Sequence, residues 1–168
     1  MFLALTVSFF LQQHVGKTTT SLAIMSGLKK RFDKVGFVKP VGQQHVPVES
    51  QMANKTIRVD KDVCLVKEHF KLDHLDYEHM SPVLIPKGYT KKFVDGEVTL
   101  ADQIKRLETS MMHVAGNSDV VLCEGTGHCA VGSIVALNNG KCASLIGADM
   151  VLVAVRTKRE SPPQATAK

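Results

Sequence analysis

The stretch that decides the fold is Gln12-Gln13-His14-Val15-Gly16-Lys17-Thr18-Thr19-Thr20, between an apolar run and a segment of helical pattern. Gly16-Lys17-Thr18 matches the end of the phosphate-binding motif G-x-x-x-x-G-K-[ST]. In that motif, backbone N–H groups at a helix N-terminus face phosphate oxygens, the lysine reaches the β- and γ-phosphates, and the hydroxyl ligates Mg²⁺. Leu11 replaces the first glycine of the motif, and a leucine does not easily adopt a positive φ. We therefore predict a phosphate site whose opening departs from the motif.

Composition indicates one globular domain and argues against a nucleic-acid partner. The 168 residues are 44% hydrophobic and 22% charged, near the averages for globular proteins. The net charge is +5, and the basic residues are dispersed except at 29–31 and in a C-terminal group at 156, 158 and 159. No aromatic residues alternate with these basic residues, so a surface that stacks bases is not expected.

Cysteine and histidine spacing argues against a zinc or histidine metal centre. The four cysteines, at 64, 123, 129 and 142, form no C-x-x-C pair. His69, His74 and His79 recur every five residues, which spreads them around a helix instead of along one face. Free thiols fit a reducing compartment, so we expect the cytoplasm, or an organelle matrix. The run from Met1 to Leu11 lacks a basic start and is too short to cross a bilayer, so no membrane partner is expected.

The order of elements predicts an α/β fold with a mostly parallel sheet. A strand at Phe2–Phe10, a helix at Lys17–Phe32 and a strand at Lys34–Val38 make a βαβ unit, which requires parallel strands. The remaining predictions are a long loop at Val41–Arg58, helices at Lys61–Phe70, Thr99–Ala115 and Asn139–Ile146, a glycine-rich turn at Gly125–Gly132, and buried strands at Asp119–Gly125 and Asp149–Val155. We expect one domain over residues 1–155 and a disordered basic tail over 156–168.

Polar residues collect where predicted strands end, which is where ligands bind in open parallel sheets. The phosphate loop follows the first strand, Lys39 ends the second, and Glu124 ends the strand from Asp119, while Asp62 begins a helix. Each has an ordinary alternative at this stage: a cap for Glu124, a helix-start charge for Asp62 and a surface position for Lys39. For His128, in the glycine-rich turn, a solvent-facing position is favoured over a binding role. We expect Lys17 to neutralise phosphate charge and Thr18 to ligate Mg²⁺.

Together these segments resemble the dethiobiotin synthetase-like P-loop family, and in particular the related domain at the N-terminus of some phosphate acetyltransferases. The resemblance rests on Val15-Gly16-Lys17-Thr18-Thr19, Gly36-Phe37-Val38-Lys39-Pro40-Val41, Asp62 and Glu124-Gly125-Thr126-Gly127, and it covers roughly residues 12 to 154. It implies a three-layer α/β P-loop NTPase sandwich that binds ATP and Mg²⁺. In dethiobiotin synthetase, ATP phosphorylates a carbamate formed from an amine and CO₂, whereas the acetyltransferase version is regarded as regulatory or of unclear activity.

By this resemblance, nucleotide contacts come from His14, Val15, Gly16, Lys17, Thr18 and Thr19. Lys17 and Lys39 would stabilise phosphate charge, and Thr18, Asp62 and Glu124 would hold the metal. The substrate would be a small molecule that no motif identifies. Leu11, and the tail that begins near Arg156, depart from the family, so we expect a C-terminally incomplete domain. The alternatives are a non-catalytic nucleotide sensor and a truncated inactive product whose exposed sheet edge would form homodimers.

Overall fold

A computed structural model describes residues 3–8, 16–50, 52, 54–126 and 129–152, with only the backbone of 3–8 and 129–131. The strands are β1 Leu3–Ser8, β2 Val35–Val38, β3 Val41–Gly42, β4 His45–Ser50, β5 Lys55–Asp60, β6 Val83–Leu84, β7 Val120–Glu124 and β8 Asp149–Leu152. The helices are α1 Lys17–Leu28, α2 Lys61–Phe70, α3 Tyr77–Met80, α4 Tyr89–Val94, α5 Leu100–Gly116, α6 Cys129–Ile134 and α7 Asn139–Ile146.

The central sheet has four strands in the order β2-β7-β1-β8, and every pair in it is parallel. All five residues of β7 are buried, as expected for an apolar strand in the middle of a parallel sheet. The predicted α/β class and parallel sheet are therefore confirmed. Since parallel strands end at the same edge, the carboxyl ends of β1, β2 and β7 lie together.

Helices cover both faces of the sheet. Neighbouring residues of a strand point to opposite faces of the sheet, so the side chains of Cys123 and Glu124 lie on different faces of β7. The thiol of Cys123 lies 4.0 Å from the sulfur of Met111 in α5, and the carboxylate of Glu124 lies 3.5 Å from the hydroxyl of Thr18 in α1. Thus α5 and α1 pack on opposite faces, which gives the three layers expected for a P-loop fold.

The predicted loop at Val41–Arg58 is wrong, because most of it is β structure. The segment contains β3, which pairs with β6, followed by β4 and β5, which form an antiparallel hairpin. Alternation along the hairpin sets Val46 opposite Val59 and Val48 opposite Ile57. Pro47 and the polar run after it suggested a loop, but a two-stranded ribbon has only edge strands, and these accept a proline.

Two further segments differ from the prediction. The glycine-rich turn ends earlier than expected, since α6 begins at Cys129. Strand β8 was predicted to be buried, but it lies at the edge of the sheet and Val151 and Leu152 are exposed. Residues 153–168, which include the predicted tail, lie outside the described residues. Among the helices that the structure describes, none is long and apolar enough to span a membrane.

Candidate functional site

A cleft of about 310 Å³ opens where β2 and β7 end and where α1 and α2 begin. Its walls include Lys17, Thr18, Lys39, Asp60, Asp62 and Glu124. The cleft therefore brings together the lysines, carboxylates and hydroxyl that the sequence predicted. The first of these residues, Lys17, and the last, Glu124, are 107 positions apart in the sequence.

The phosphate-loop residues that the structure describes form the start of α1. Gly16 precedes this helix with φ +83°, a left-handed conformation that favours glycine. Its carbonyl accepts hydrogen bonds from the backbone N–H and the hydroxyl of Thr20, at 2.9 and 3.0 Å. The helix N-terminus, with its partial positive charge, consequently faces the cleft. Thr19 also lines the cleft, whereas His14 and Val15 lie outside the described residues.

Lys17 extends from the first turn of α1 into the cleft. Partial burial lowers the pKa of its ammonium, and the charge of Lys39 acts in the same direction. Glu124 and Asp62 oppose this effect. Lys17 is thus a cation held near a second cation, which is the charge distribution that a polyphosphate anion stabilises.

Lys39 is buried at the centre of three carboxylates. Its Nζ lies 3.3 Å from Asp60 Oδ1 and 3.3 Å from Glu124 Oε1, and it donates a hydrogen bond to Asp62. Burial alone would lower the pKa of this ammonium, but Glu124, Asp60 and Asp62 together raise it above its ordinary value. The backbone N–H of Lys39 donates to the carbonyl of Met80 at 2.8 Å, which fixes the chain at the end of β2. The surface alternative for Lys39 is therefore wrong.

Glu124, at the end of β7, is fully buried, and its two oxygens differ in their surroundings. Oε1 is 3.3 Å from Lys39 Nζ and accepts a hydrogen bond from Thr18 at 3.5 Å, while Oε2 has no hydrogen-bond partner among the described residues. Burial raises the pKa of this carboxyl, against the lowering effects of Lys39 and of the nearby Ser21 hydroxyl. A buried carboxylate oxygen without a hydrogen bond is costly, so a cation bound there would stabilise it.

Sequence reasoning missed Asp60, the last residue of β5, which directly precedes α2. It caps α2, because Oδ1 accepts a hydrogen bond at 3.0 Å from the backbone N–H of Asp62. Asp62, in the first turn of that helix, points into the cleft. An acidic residue before a predicted helix is a recognisable cap signal in the sequence, but its contact with Lys39 is a tertiary feature.

Asn139, the first residue of α7, was missed as well. Its side-chain carbonyl accepts hydrogen bonds from the backbone N–H and the hydroxyl of Thr126, at 2.9 and 3.1 Å, and its amide donates to the Thr126 carbonyl at 3.2 Å. A Cβ at Gly125 would lie 2.8 Å from this side chain, so glycine is required there. Asn139 thereby fixes the backbone that follows Glu124. His128, on the same turn, lies outside the described residues.

The oxygen groups of the cleft fit a magnesium ion. Asp62, Glu124 and Thr18 offer two carboxylates and a hydroxyl, which are the hard donors that Mg²⁺ takes, with water and phosphate as its remaining ligands. The unpaired Oε2 of Glu124 supplies an open donor atom. Within the described part of the chain, no group of three or more His, Cys, Asp and Glu side chains is placed to hold a metal ion unaided. These assignments stay predictions.

A comparison with known protein families gives a match. A family model described as an AAA domain (AAA_26) matches residues 11–167, which is nearly the whole chain. Among curated proteins, none matches significantly.

Proposed function

Because the chain belongs to the AAA domain family AAA_26, whose members are P-loop NTPases with a nucleotide-binding domain, we propose that this cleft binds ATP with Mg²⁺. The observation that carries the proposal is the meeting of Lys17 and Lys39 with Thr18, Asp62 and Glu124 in one cleft at the start of α1. Together these side chains supply the cations and the metal donors that a nucleotide polyphosphate needs.

The proposed roles follow from position. Lys17 and the N-terminus of α1 bind phosphate oxygens, and Lys39 stabilises charge on the phosphoryl group that would be transferred. Thr18, Asp62 and Glu124 hold Mg²⁺, which when bound neutralises phosphate charge and orients the terminal phosphate. Burial of Glu124 and Lys39 strengthens their electrostatic effects, because the surrounding protein screens them less than water does.

We further propose that any chemistry is phosphoryl transfer of the dethiobiotin synthetase type. The support is the Lys39-Pro40-Val41 segment, which follows β2 beside the cleft, and the Glu124-Gly125-Thr126 turn at the end of the neighbouring strand β7. The acceptor would be a small molecule that enters from the side of Gln43 and Gln44, whose side chains line the same cleft. A nucleotide sensor without turnover would use the same binding residues.

Thermal unfolding with and without ATP and Mg²⁺ tests nucleotide binding. At an ATP concentration 100 times Kd, binding adds about 2.7 kcal/mol to the free energy of unfolding. For a domain of this size we expect Tm to rise by about 5–10 °C. Lys17→Ala should lose most of this rise, whereas the matched variant Lys29→Ala, at the exposed far end of the same helix, should keep it. An unchanged Tm of the wild-type protein at millimolar ATP would contradict the proposal.

Phosphate release then separates catalysis from sensing. A catalyst should release phosphate from ATP in the presence of Mg²⁺, and Glu124→Gln should reduce the rate by about 100-fold or more. A sensor should show the same thermal shift with ATP and no release above the rate of the Glu124→Gln variant. The two results are distinct, because the first experiment has already established binding.

A further inference from the structure

Asp60 contacts the backbone of two segments and the side chain of a third. Its Oδ1 accepts a hydrogen bond from the Asp62 N–H at 3.0 Å and lies 3.3 Å from Lys39 Nζ. Its Oδ2 accepts a hydrogen bond from the Gln43 N–H at 3.1 Å, and its own N–H donates to the Ser81 hydroxyl at 3.0 Å. The side chain is almost fully buried, so these contacts fix both carboxylate oxygens.

The two aspartates of the Asp60-Lys61-Asp62 segment consequently differ in what they can do. Both oxygens of Asp60 already accept backbone hydrogen bonds, and moving the side chain would uncap α2 and release the Gln43 backbone. Asp62 makes its described side-chain contact with Lys39 alone and is more exposed to the cleft. The first carboxylate is held in place, and the second is able to turn toward a ligand.

We propose that Asp60 is the positioning residue that keeps the Lys39 ammonium in the cleft when Asp62 and Glu124 are engaged by a metal–nucleotide complex. This inference rests on the proposed function, because it assigns the remaining partner of a lysine whose other two contacts are the metal-binding carboxylates. Lys39 lies between all three carboxylates in the described structure, at equal 3.3 Å distances from Asp60 and Glu124. If Asp62 and Glu124 turn to another cation, Asp60 is the carboxylate that cannot follow them.

The pairing with Asp60 fixes the position of the Lys39 side chain. A buried ammonium without a carboxylate partner would move toward water. Paired with a fixed carboxylate, Lys39 keeps its place at the end of β2, in the same cleft as Lys17. Asp60 touches neither metal nor nucleotide in this proposal, and its effect passes through Lys39.

The test compares Asp60→Asn with Asp62→Asn in calorimetric titrations of ATP, ADP and Mn²⁺. Asparagine caps helices well and has the size of aspartate, so Asp60→Asn removes the charge and one acceptor while keeping the cap. We expect Asp60→Asn to weaken ATP binding by about tenfold. The affinity for ADP, and the affinity for Mn²⁺ in the presence of ADP, should change by less than about twofold. Asp62→Asn should instead weaken Mn²⁺ binding by about tenfold or more. Asp60→Ser, a second uncharged cap, should behave like Asp60→Asn.

Two controls isolate the pathway through the lysine. Asp95→Asn removes a carboxylate that pairs with Lys91 on the exposed surface of α4, and it should change no affinity. In a Lys39→Met background, Asp60→Asn should not weaken ATP binding further. Loss of Mn²⁺ affinity in Asp60→Asn would make Asp60 a metal ligand, and an additive loss in the double variant would mean that it acts without Lys39; either result overturns the proposal.

A measurement without nucleotide separates this proposal from the proposed function. Crystal structures of the nucleotide-free proteins should show Lys39 Nζ beside residue 60 in the wild-type protein and displaced from it in Asp60→Asn. An unchanged Lys39 position in both proteins overturns the role of Asp60. A wild-type protein that binds no ATP, with the Lys39 position still dependent on Asp60, would instead overturn the proposed function and leave the pairing in place.

Discussion

At the scale of single residues, Gly42 shows how closely the backbone is packed behind the cleft. A Cβ at this position would lie 2.7 Å from Asp60 Oδ2 and 2.9 Å from a methyl group of Leu84. Gly27, in α1, has no atom within 4 Å of the same added carbon. The two glycines therefore predict opposite results for one substitution.

We expect Gly42→Ala to lower the free energy of unfolding by about 1–3 kcal/mol, because the added methyl group displaces the buried Asp60. Gly27→Ala, in the last turn of α1, should raise it by up to about 0.5–1 kcal/mol, since alanine loses less backbone entropy in a helix than glycine does. Urea denaturation of both variants and the wild-type protein measures the difference. A loss of stability in both variants would contradict the packing of Gly42 against Asp60.

Glu124 should lower the stability of the protein while it supports ligand binding, and the effect on stability should depend on pH. Burial raises its pKa above the ordinary value of 4.5, so the native state binds more protons than the unfolded state between these two pKa values. The stability contribution of this group is therefore present below the ordinary pKa and is lost as pH rises through the raised one. Lys39, which pairs with the charged carboxylate, offsets part of this loss at neutral pH.

Glu124→Gln should consequently raise the Tm of the nucleotide-free protein at pH 7–8. The gain should shrink as pH falls, because the wild-type carboxyl then takes up its proton. Differential scanning calorimetry over pH 4.5–8 measures this, with Glu97→Gln, an exposed glutamate near the surface Lys92, as the matched control without a gain. A gain that is constant across the pH range would mean that the charge of Glu124 does not limit stability.

The motif residues of the cleft could be predicted from the sequence for a physical reason. Gly16, Lys17 and Thr18 are contiguous, and their spacing is set by local loop geometry that a motif can record. Asp60 acts through Lys39, 21 positions away, and Asn139 acts through Thr126, 13 positions away. No local sequence pattern encodes these contacts. The departure at Leu11 cannot be compared, since it lies outside the described residues.

At the scale of elements, the start of α7 supports the turn after β7. The helix begins with two asparagines that have different tasks. Asn138 caps α7 by accepting the backbone N–H of Lys141 at 2.9 Å and is exposed. Asn139 is buried and bonds to Thr126 on the cleft side. The pair allows helix capping to be separated from support of the cleft.

We expect Asn138→Ala to cost about 1 kcal/mol of stability through loss of the cap, with ATP affinity unchanged. Asn139→Ala should cost about 1–3 kcal/mol, because it removes the partner of a buried backbone N–H, and it should also weaken ATP binding. Urea denaturation and ATP titration on both variants check this. Equal ATP affinity in the two variants would show that the Thr126 turn does not position Glu124.

The elements that sequence predicted well carry strong local signals. In α5 a reciprocal capping box joins Thr99 and Asp102, and its apolar residues recur at helical spacing, which matches the predicted helix at Thr99–Ala115 closely. Gly147 ends α7 with φ +63°, a left-handed conformation that favours glycine at the end of a helix. The β4–β5 hairpin lacks such signals, since its strands are half exposed and its turn passes through Asn54 at φ +47° with no glycine.

At the scale of the whole molecule, the order β2-β7-β1-β8 leaves the two ends of the sheet in different environments. The edge strand β2 is buried along its whole length, with Phe37 fully covered. The other edge strand, β8, has Leu152 at 58% exposure and Val151 at 37%. Among the described strands, β8 pairs on one side only. An apolar edge strand of this kind favours pairing with another strand, so we propose β8 as the edge through which two copies of the chain would associate.

Replacing Leu152 with lysine should therefore reduce self-association. A charge on an edge strand opposes pairing with a second copy, while an exposed substitution changes stability by less than about 0.5 kcal/mol. The matched control is Met112→Lys on α5, where a 70% exposed apolar residue gains the same charge away from the sheet. Light scattering across a concentration series should show a lower average mass for Leu152→Lys than for the wild-type protein and Met112→Lys. Equal reductions in both variants would attribute the effect to net charge instead of the β8 edge, and ATP affinity should be unchanged in either because neither residue lines the cleft.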